Sequence, residues 1–326
     1  MQSRQVYFEE VGAAEVLRLR SVELAQPGNG EVLLKQHACG LNFIDIYHRS
    51  GLYPCALPSG LGLEAAGTVV ELGAGVEDLR LGDRVAYAGG PIGAYADYRL
   101  VPAERLLKLP DQISFSQAAA MMLQGLTVHY LFEKLHRLQS GDTILFHAAA
   151  GGVGLIACQW AKALGVTMIG TVGSAEKAEL ALANGCSHVI NYKTENFVHR
   201  LRELTQGQGV PVVYDSVGKD TFEGSLDCLQ PRGLMVSFGN ASGAVPPFSL
   251  SELASRGSLF ITRPTLAHYT AQREELVAGA NSLFEKVLAG QLHIHVKQQY
   301  ALNQVIQAHR DMEARITTGS SILLTE

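Results

Sequence analysis

The chain has 326 residues, of which 47% are hydrophobic and 17% are charged. At roughly 150 residues per domain, this length suits about two domains, and the composition excludes a chain that is disordered along most of its length. The net charge of −5 gives no general attraction to nucleic acid or to an anionic membrane surface.

The cysteines and the N-terminus bear on the compartment. Five cysteines are scattered along the chain without a C-x-x-C pair, which argues against a disulfide framework or a cysteine-rich zinc module. The opening residues, MQSRQVYFEE, become acidic where a secretory signal carries its apolar run. No uncharged apolar stretch approaches the roughly 20 residues that a membrane helix needs. These features predict a cytoplasmic protein without a membrane span.

Short β-type segments fill the first zone of the chain, which ends at about residue 120. Glycine, proline and Asp/Gly turns separate these segments, as expected between neighbouring strands. Examples are residues 32–36, 67–72 and 83–87. This zone is therefore predicted to form a compact antiparallel barrel or sandwich.

The second zone, from about residue 114 to 263, alternates apolar runs with helical segments. The apolar runs are residues 143–146, 166–170, 188–190, 212–214, 234–238 and 259–261. An alanine- and leucine-rich helix is predicted over 153–164. Continuous apolar strands that alternate with helices predict a doubly wound parallel sheet.

The third zone is predicted to contain two helices and a final strand. The first helix covers 272–288, with Leu276, Leu283 and Val287 on roughly one face, and the second lies near 303–313. The run 321–324 is apolar and predicts the last strand.

A glycine-rich turn follows the first apolar run of the second zone. In the sequence from Phe146 to Gly154, Ala149 replaces the first glycine of a G-x-G-x-x-G pattern, and Gly151 and Gly154 occupy the other two positions. Gly151 allows close approach to a pyrophosphate, and Gly154 allows the helix to pack against the strand. The strand–turn–helix context favours a dinucleotide site over a turn that binds no nucleotide.

The residues after the next strand indicate which dinucleotide is bound. An NAD site places a carboxylate about 20 positions after the turn, but Gly173 and Ser174 stand there, with Lys177 close behind. A hydroxyl and an ammonium group suit a 2′-phosphate. NADPH is therefore predicted; the alternative is that Lys177 is an ordinary surface lysine.

Several short segments together resemble one family along essentially the whole chain. These segments are GLNFID (40–45), GLEAAG (62–67), AAAGGVG (148–154), YDSVG (214–218), VSFG (236–239) and TRP (262–264). The chain resembles the zinc-independent quinone oxidoreductases, the zeta-crystallin-like group of the medium-chain dehydrogenase/reductase superfamily.

The resemblance implies an α/β fold with two domains. A GroES-like β-rich barrel would occupy residues 1–122 and be completed by 265–326, and a Rossmann dinucleotide-binding domain would occupy 123–264. The active cleft is expected between the two domains. Relatives join subunits through the last strand of the nucleotide-binding sheet, here near 257–262, so a homodimer is expected.

Zinc-dependent relatives of the family provide a comparison for metal binding. By resemblance, their catalytic zinc ligands fall on Asn42, Leu63 and Leu123. Leucine cannot bind zinc, and asparagine is a poor replacement for a thiolate. We therefore expect no metal.

The resemblance also implies a set of site residues. Asn42 and Tyr47 would position the substrate and the nicotinamide, without a firm general acid. Cofactor contacts are expected from Asn42, Ile44, Asp45, Gln124, Thr127, Gly151, Gly152, Val153, Gly154, Gly173, Ser174, Lys177, Tyr192, Ser216, Phe238, Gly239, Arg263, Pro264, Thr265 and Arg315. Each has a structural alternative: packing for Tyr47 and Phe238, helix packing or capping for Gln124 and Thr127, and surface ion pairs for the arginines.

The predicted function is NADPH-dependent reduction of quinones by hydride transfer without a metal. A quinone is electrophilic enough to accept hydride without a Lewis acid, and one-electron and two-electron outcomes both stay open. One alternative is reduction of activated alkenes such as enones. Another is a nucleotide-responsive structural or RNA-binding protein, although the acidic balance gives RNA binding little support.

Overall fold

Strands dominate the beginning of the chain in the computed structural model, and strands alternate with helices in its middle. The structure describes residues 1–325. Within them the strands are β1 (Gln2–Phe8), β2 (Arg18–Glu23), β3 (Glu31–Leu41), β4 (Ser59–Gly60), β5 (Glu64–Leu72), β6 (Arg84–Ala88), β7 (Tyr98–Pro102), β8 (Leu107–Lys108), β9 (Thr143–Phe146), β10 (Thr167–Val172), β11 (His188–Asn191), β12 (Val210–Asp215), β13 (Leu229–Ser237), β14 (Phe260–Thr262), β15 (Val296–Ala301) and β16 (Ser320–Leu324).

The helices are α1 (Phe43–Arg49), α2 (Phe115–Ala119), α3 (Met122–His129), α4 (Gly152–Leu164), α5 (Ala175–Ala183), α6 (Phe197–Leu204), α7 (Phe222–Asp227), α8 (Ser251–Ser255), α9 (Leu266–Tyr269), α10 (Arg273–Leu288) and α11 (Val305–Glu313). Among the described residues, none of these helices is both long and apolar enough to span a bilayer.

The chain divides into two units. The first, here the barrel unit, contains Met1–His129, Tyr269–Gly290 and the residues from Ile294 onward. The second, here the nucleotide unit, contains Tyr130–His268 and Gln291–His293. These boundaries lie a few residues from the predicted domain ends at 122 and 264. The role of each domain stays a prediction.

The barrel unit is built mainly from antiparallel strands. One sheet has the order β15-β16-β3-β5-β6-β8, with β7 also paired to β3, and a smaller sheet has the order β2-β1-β4. The last strand, β16, pairs antiparallel with β3, so that Ser321 faces Leu41 and Leu324 faces Ala38. The C-terminal segment thus completes a sheet that the first zone begins, and the predicted last strand is confirmed.

The predicted helices of the third zone form as α10 and α11. On α10, Leu276 and Leu283 are fully buried, and Phe284 is buried beside them. Val287, which was predicted on the buried face, is only half-buried, and Phe284 takes its place on that face. Both helices contribute apolar side chains to the interior of the barrel unit.

The nucleotide unit contains a six-stranded sheet in the order β11-β10-β9-β12-β13-β14. Every strand pair in it is parallel. Strand order reverses between β9 and β12, which puts a crevice at the carboxyl ends of these two strands. The sheet core is apolar because parallel strands are covered on both faces, as Leu145, Ile169 and Val213 show by their full burial. The doubly wound α/β fold is confirmed.

Candidate functional site

A chain of side-chain hydrogen bonds runs through the barrel unit beside the start of α1. Asn42 Nδ2 donates to Glu64 Oε1 (2.6 Å), and the main-chain N–H of Leu123 donates to Glu64 Oε2 (2.7 Å). Gln124 Nε2 donates to Asn42 Oδ1 (3.2 Å), and Ser320 Oγ donates to Gln124 Oε1 (2.7 Å). All four side chains are buried. We call Asn42, Glu64, Gln124 and Ser320 the amide relay.

The carboxyl group of Glu64 lies at one end of the amide relay and is completely buried. Burial raises its pKa to about 8, although the hydrogen bonds from Leu123 and Asn42 favour the ionised form. A Cβ at position 40 would lie 2.2 Å from Glu64 Oε1, so Gly40 provides the space that the carboxylate occupies. Glu64 was not among the predicted site residues.

Asp45 holds the start of α1 from inside the barrel unit. Its Oδ2 accepts hydrogen bonds from the main-chain N–H of Asn42 (2.8 Å) and from the hydroxyl of Tyr95 (2.7 Å). Its Oδ1 is buried without a hydrogen-bond partner among the described residues. Burial raises the pKa of Asp45 to about 7. The carboxyl group therefore fixes Asn42 through the helix cap.

Tyr47 and Ile44 follow on the same helix. Tyr47 is buried in an aromatic cluster, with its ring 5.0 Å from that of Tyr53 and 6.2 Å from that of Phe43, centroid to centroid. Ile44 is half-buried. The aromatic contacts fit the packing alternative for Tyr47, and its substrate contact stays a prediction.

Two other predicted residues of the barrel unit, Thr127 and Arg315, lie outside the amide relay. Thr127 lies on α3 one turn after Leu123, and its hydroxyl donates to the Leu123 carbonyl (2.7 Å). Arg315 is exposed just after α11 and has a left-handed backbone, with φ 58°. Neither takes part in the amide relay.

In the nucleotide unit, the predicted turn joins β9 to the N-terminus of α4. Gly151 precedes the helix, and Gly152 and Val153 are its first residues. The first N–H groups of a helix have no partner within it and attract anions. A Cβ on Gly154 would lie 2.4 Å from the Ala148 carbonyl oxygen, which confirms that this glycine is needed for close packing.

The left-handed residue of this turn is Ala148, with φ 58°. The motif alignment placed the missing first glycine at Ala149, one position later. A left-handed backbone disfavours a residue with a Cβ. Ala148 therefore carries the local backbone strain of the turn.

A buried polar network supports this turn from below, and sequence reasoning missed it. Asp215 Oδ2 accepts from Ser225 Oγ (2.8 Å), and Ser225 Oγ lies 2.9 Å from His147 Nε2. His147 Nδ1 lies 2.9 Å from Thr171 Oγ1. Because the serine hydrogen goes to Asp215, Nε2 of His147 donates and Nδ1 accepts from Thr171. Burial lowers the pKa of His147, which keeps the ring neutral.

The predicted 2′-phosphate residues meet at the carboxyl end of β10. Ser174 is the N-cap of α5, and its Oγ accepts from the Lys177 main-chain N–H (3.3 Å). Tyr192 is 41% exposed, and its hydroxyl would lie 2.6 Å from a Cβ on Gly173. The structure therefore brings Gly173, Ser174, Lys177 and Tyr192 together.

Six further predicted residues follow the ends of β12, β13 and β14. The main chain of Gly239 packs on that of Ser216, since a Cβ at 239 would lie 2.5 Å from the Ser216 carbonyl oxygen. The ring of Phe238 lies 5.6 Å from that of Phe146, which makes it partly a packing residue. Exposed Arg263 donates to the carbonyl oxygen of Ser237 (2.9 Å), ahead of Pro264 and Thr265.

Predicted residues are thus grouped within each unit: Asn42, Gln124 and residues of α1 in the barrel unit, and the strand ends and the start of α4 in the nucleotide unit. Among residues 1–325, no group of three or more His, Cys, Asp or Glu side chains is arranged to hold a metal ion.

Comparison with known families gives two matches that follow one another along the chain. Residues 28–111 match the alcohol dehydrogenase GroES-like domain, and residues 152–277 match the zinc-binding dehydrogenase family.

Individual relatives are similar along nearly the whole chain. A quinone oxidoreductase from Pseudomonas aeruginosa is 54% identical over 323 residues, covering 99% of both chains. A 2-haloacrylate reductase from a Burkholderia species is 47% identical and covers 94% of both chains. The crystal structure of Escherichia coli quinone oxidoreductase complexed with NADPH superimposes with a TM-score of 0.97 at 51% identity, covering 98% of this chain and 99% of that one. This chain belongs to the quinone oxidoreductase family of the medium-chain dehydrogenase/reductase superfamily.

Proposed function

We propose that this protein reduces quinones with NADPH by hydride transfer and without a protein-bound metal. The observation that carries the proposal is the similarity to the E. coli quinone oxidoreductase crystallised with NADPH, 51% identical along 98% of this chain. The arrangement of residues within each unit supports the same reaction.

The nucleotide unit has the residues that an NADPH molecule requires. Gly154 allows the turn to pack closely on α4, and the N–H groups of Gly152 and Val153 lie in the first turn of this helix, where a pyrophosphate would bind. Ser174 and Lys177 would hold the 2′-phosphate through a hydroxyl and an ammonium group. When bound, NADPH supplies the hydride.

The barrel unit offers hydrogen-bond donors for the substrate side. Each amide nitrogen of Asn42 and Gln124 carries two hydrogens, and one of each is used within the amide relay. A quinone that accepts hydride develops negative charge on an oxygen atom, and preorganised N–H groups stabilise such charge. We assign substrate and nicotinamide positioning to Asn42, with Tyr47 beside it on α1.

Metal independence is supported by the residue types at three positions. Asn42, Leu63 and Leu123 stand where zinc-dependent relatives carry ligands, and they offer no thiolate or imidazole. Both oxygens of the neighbouring Glu64 already accept hydrogen bonds. A quinone needs no Lewis acid to accept hydride.

A second candidate function, reduction of activated alkenes, is favoured by the Burkholderia relative. That relative is a 2-haloacrylate reductase, and it is 47% identical to this chain. The same residues would serve either electron-poor acceptor, and the shape of the substrate pocket would decide between them. RNA binding has no comparable support.

We also propose that the protein is a cytoplasmic homodimer joined through β14. This strand pairs with β13 on one side, and Phe260 is 62% exposed on it. An apolar edge strand favours pairing with a second copy. Light scattering is expected to give twice the 35.0 kDa chain mass; a concentration-independent monomer mass would reject the dimer.

The decisive experiment follows NADPH oxidation with a panel of quinones, enones, 2-haloacrylates and aldehydes. Turnover is expected with quinones and is expected to persist after exhaustive chelation. Faster turnover of the alkenes would favour the second candidate. Stoichiometric zinc with chelator-sensitive turnover would reject metal independence, and salt-dependent RNA binding without turnover would favour the non-enzymatic alternative.

A further inference from the structure

We propose that Glu64 is a positioning residue whose carboxylate sets the donor–acceptor direction of the amide relay. That direction decides which atoms of Asn42 and Gln124 are free for the ligand. The effect on the ligand rests on the proposed function. The direction of the relay depends on the protein alone.

The direction follows from one group that cannot be reversed. The main-chain N–H of Leu123 can only donate, and it donates to Glu64 Oε2 at 2.7 Å. Above its pKa of about 8, Glu64 is ionised and accepts at both oxygens. Asn42 must then turn its Nδ2 toward Glu64, as in the 2.6 Å contact.

The remaining bonds are then determined one after another. With Nδ2 of Asn42 on Glu64, its Oδ1 faces Gln124 and requires a donor, which Nε2 of Gln124 provides at 3.2 Å. Oε1 of Gln124 then faces Ser320, whose hydroxyl donates at 2.7 Å. A single carboxylate therefore orients two side-chain amides and one hydroxyl.

A neutral amide at position 64 would reverse this order without removing a bond. The carbonyl oxygen of a glutamine would stay on Leu123 N–H, so its NH₂ group would face Asn42. Asn42 would turn its Oδ1 toward position 64 and its Nδ2 toward Gln124. Gln124 would turn in the same sense, and the Ser320 hydroxyl can accept as well as donate.

Reversal matters because it moves the unused donor. In the observed direction, the second N–H of Asn42 lies on the Glu64 side of its amide. After reversal it would lie on the Gln124 side, so a ligand oxygen aligned with the first arrangement would lose its partner. Misplaced donors lower rates because catalytic hydrogen bonds must be preorganised.

Thermal unfolding of four proteins at pH 9 tests the direction of the relay. At this pH Glu64 is above its pKa of about 8. The proteins are the unaltered chain, E64Q, Q124E and E64Q/Q124E. We expect E64Q to melt no lower than the unaltered chain, because every bond of the relay survives reversal.

Q124E presents carboxylates to both sides of the Asn42 amide, so Asn42 Oδ1 must face one of them. We expect its melting temperature to fall by about 10 °C, as for an uncompensated buried charge. In E64Q/Q124E a reversed relay is fully bonded, because the amide introduced at position 64 donates to Asn42, and Asn42 donates to the carboxylate introduced at position 124. We expect the double variant to regain most of the loss; additive effects of the two changes would overturn the proposal.

A matched control separates the relay from simple charge repulsion. Asp45 is another fully buried carboxyl near Asn42, and it interacts electrostatically with Glu64, but its side chain lies outside the relay. D45N/Q124E removes that carboxyl without reversing the relay. We expect no rescue beyond additivity; rescue equal to that in E64Q/Q124E would show that charge alone matters.

Ligand measurements at the same pH separate positioning from stability. For E64Q and for the stable double variant, we expect single-turnover hydride transfer at saturating NADPH to slow by about tenfold or more. Recovery of the rate together with stability would overturn the positioning role. Absence of quinone-dependent NADPH oxidation in the unaltered protein would reject the proposed function, while the melting temperatures would still decide the direction of the relay.

Discussion

The guanidinium of Arg49 donates to both carboxylate oxygens of Glu313, although 264 positions separate the two residues in the chain. The arginine side chain is 1% exposed, whereas that of Glu313 is 39% exposed. Arg49 also donates to the carbonyl oxygen of Gly12 at 3.1 Å. The ion pair therefore fastens α11, near the C-terminus, to α1, the helix that positions Asn42 and Tyr47.

Removing the carboxylate from this pair should destabilise the barrel unit. In Glu313→Gln the buried guanidinium keeps its charge but loses its counter-ion, which we expect to cost about 2 kcal/mol of unfolding free energy. Urea denaturation measures the loss. The matched control is Glu15→Gln, because Arg310 on the same helix pairs with Glu15 at the surface, with side chains 52% and 56% exposed. An exposed pair is screened by solvent and contributes little to stability, so we expect Glu15→Gln to cost much less than Glu313→Gln; equal losses for the two variants would contradict the prediction.

Alanine at Gly154 should damage the fold of the nucleotide turn. Its Cβ would lie 2.4 Å from the Ala148 carbonyl oxygen, a main-chain atom that cannot move without distorting the turn. We expect Gly154→Ala to lower the unfolding free energy by about 2 kcal/mol, as overpacking typically does, and to weaken NADPH binding as well. Denaturation together with cofactor titration measures both effects.

Gly151→Ala provides the comparison within the same turn. Its Cβ would lie 3.3 Å from the Ala148 carbonyl oxygen, and Gly151 has φ −78°, which alanine adopts without strain. We expect this variant to keep nearly all its stability and to lose NADPH affinity, since a methyl group blocks close approach of a pyrophosphate. Unchanged affinity would show that the cofactor does not approach position 151.

The pH dependence of stability should change when Glu64 is replaced. Burial raises the folded-state pKa of Glu64 from the ordinary 4.5 to about 8. Its contribution to stability is therefore full below about pH 4.5 and is lost as the pH rises toward 8, because the unfolded chain releases the proton first. A glutamine at this position cannot titrate.

We therefore expect the melting temperature of Glu64→Gln, relative to the unaltered chain, to rise steadily between pH 5 and pH 8 and to level off above. Asp45 shifts in the same direction, with a pKa raised to about 7, and is present in both proteins. Because Asp45 interacts electrostatically with Glu64, the difference reports Glu64 together with that interaction. Calorimetry across this range makes the measurement. A difference that does not vary with pH would mean that Glu64 is ionised throughout.

The sheet of the nucleotide unit was predictable because its strands are short, continuous apolar runs, such as the predicted run 143–146, which forms β9. Parallel strands covered on both faces leave this local pattern, which needs no knowledge of distant contacts. The role of Gly154 was predictable for the same reason, since the motif encodes a local turn. Which residue of that turn is left-handed could not be predicted. Positions 148 and 149 are both alanine, so the sequence does not distinguish their backbone conformations.

The amide relay could be predicted only in part from the sequence. Asn42 and Gln124 were expected near a ligand from the resemblance, but Ser320 lies 196 positions from its partner Gln124, and only the pairing of β16 with β3 brings the C-terminal strand into this sheet. Glu64 offered one signal, a lone carboxyl in an otherwise apolar and glycine-rich segment. Its partner, the main-chain N–H of Leu123, depends on tertiary structure alone.

We propose that cofactor choice rests on the group at the end of β10, where Ser174 caps α5 and Tyr192 lies close to Gly173. Ser174 accepts one main-chain hydrogen bond from Lys177 and keeps its own hydroxyl hydrogen for a ligand. Lys177 is half-buried in the first turn of α5, so its side chain branches from the main chain at the same helix N-terminus as Ser174. A 2′-phosphate bound there would meet a hydroxyl, a cation and the positive end of a helix.

Lys177→Ala should therefore weaken NADPH binding much more than NADH binding. A hydrogen bond to a charged group typically contributes about 1.5–3 kcal/mol, so the NADPH Kd is expected to rise about tenfold or more, while the NADH Kd stays nearly constant because NADH lacks the phosphate. The rate of single-turnover hydride transfer should survive, since the predicted contact lies at the adenosine end of the cofactor. Lys162→Ala is the matched control, because this exposed lysine lies in the last turn of α4, at the opposite end from the N-terminus. Equilibrium titration with both cofactors decides the question: equal penalties for NADPH and NADH, or an equal effect of the control, would mean that Lys177 does not recognise the phosphate.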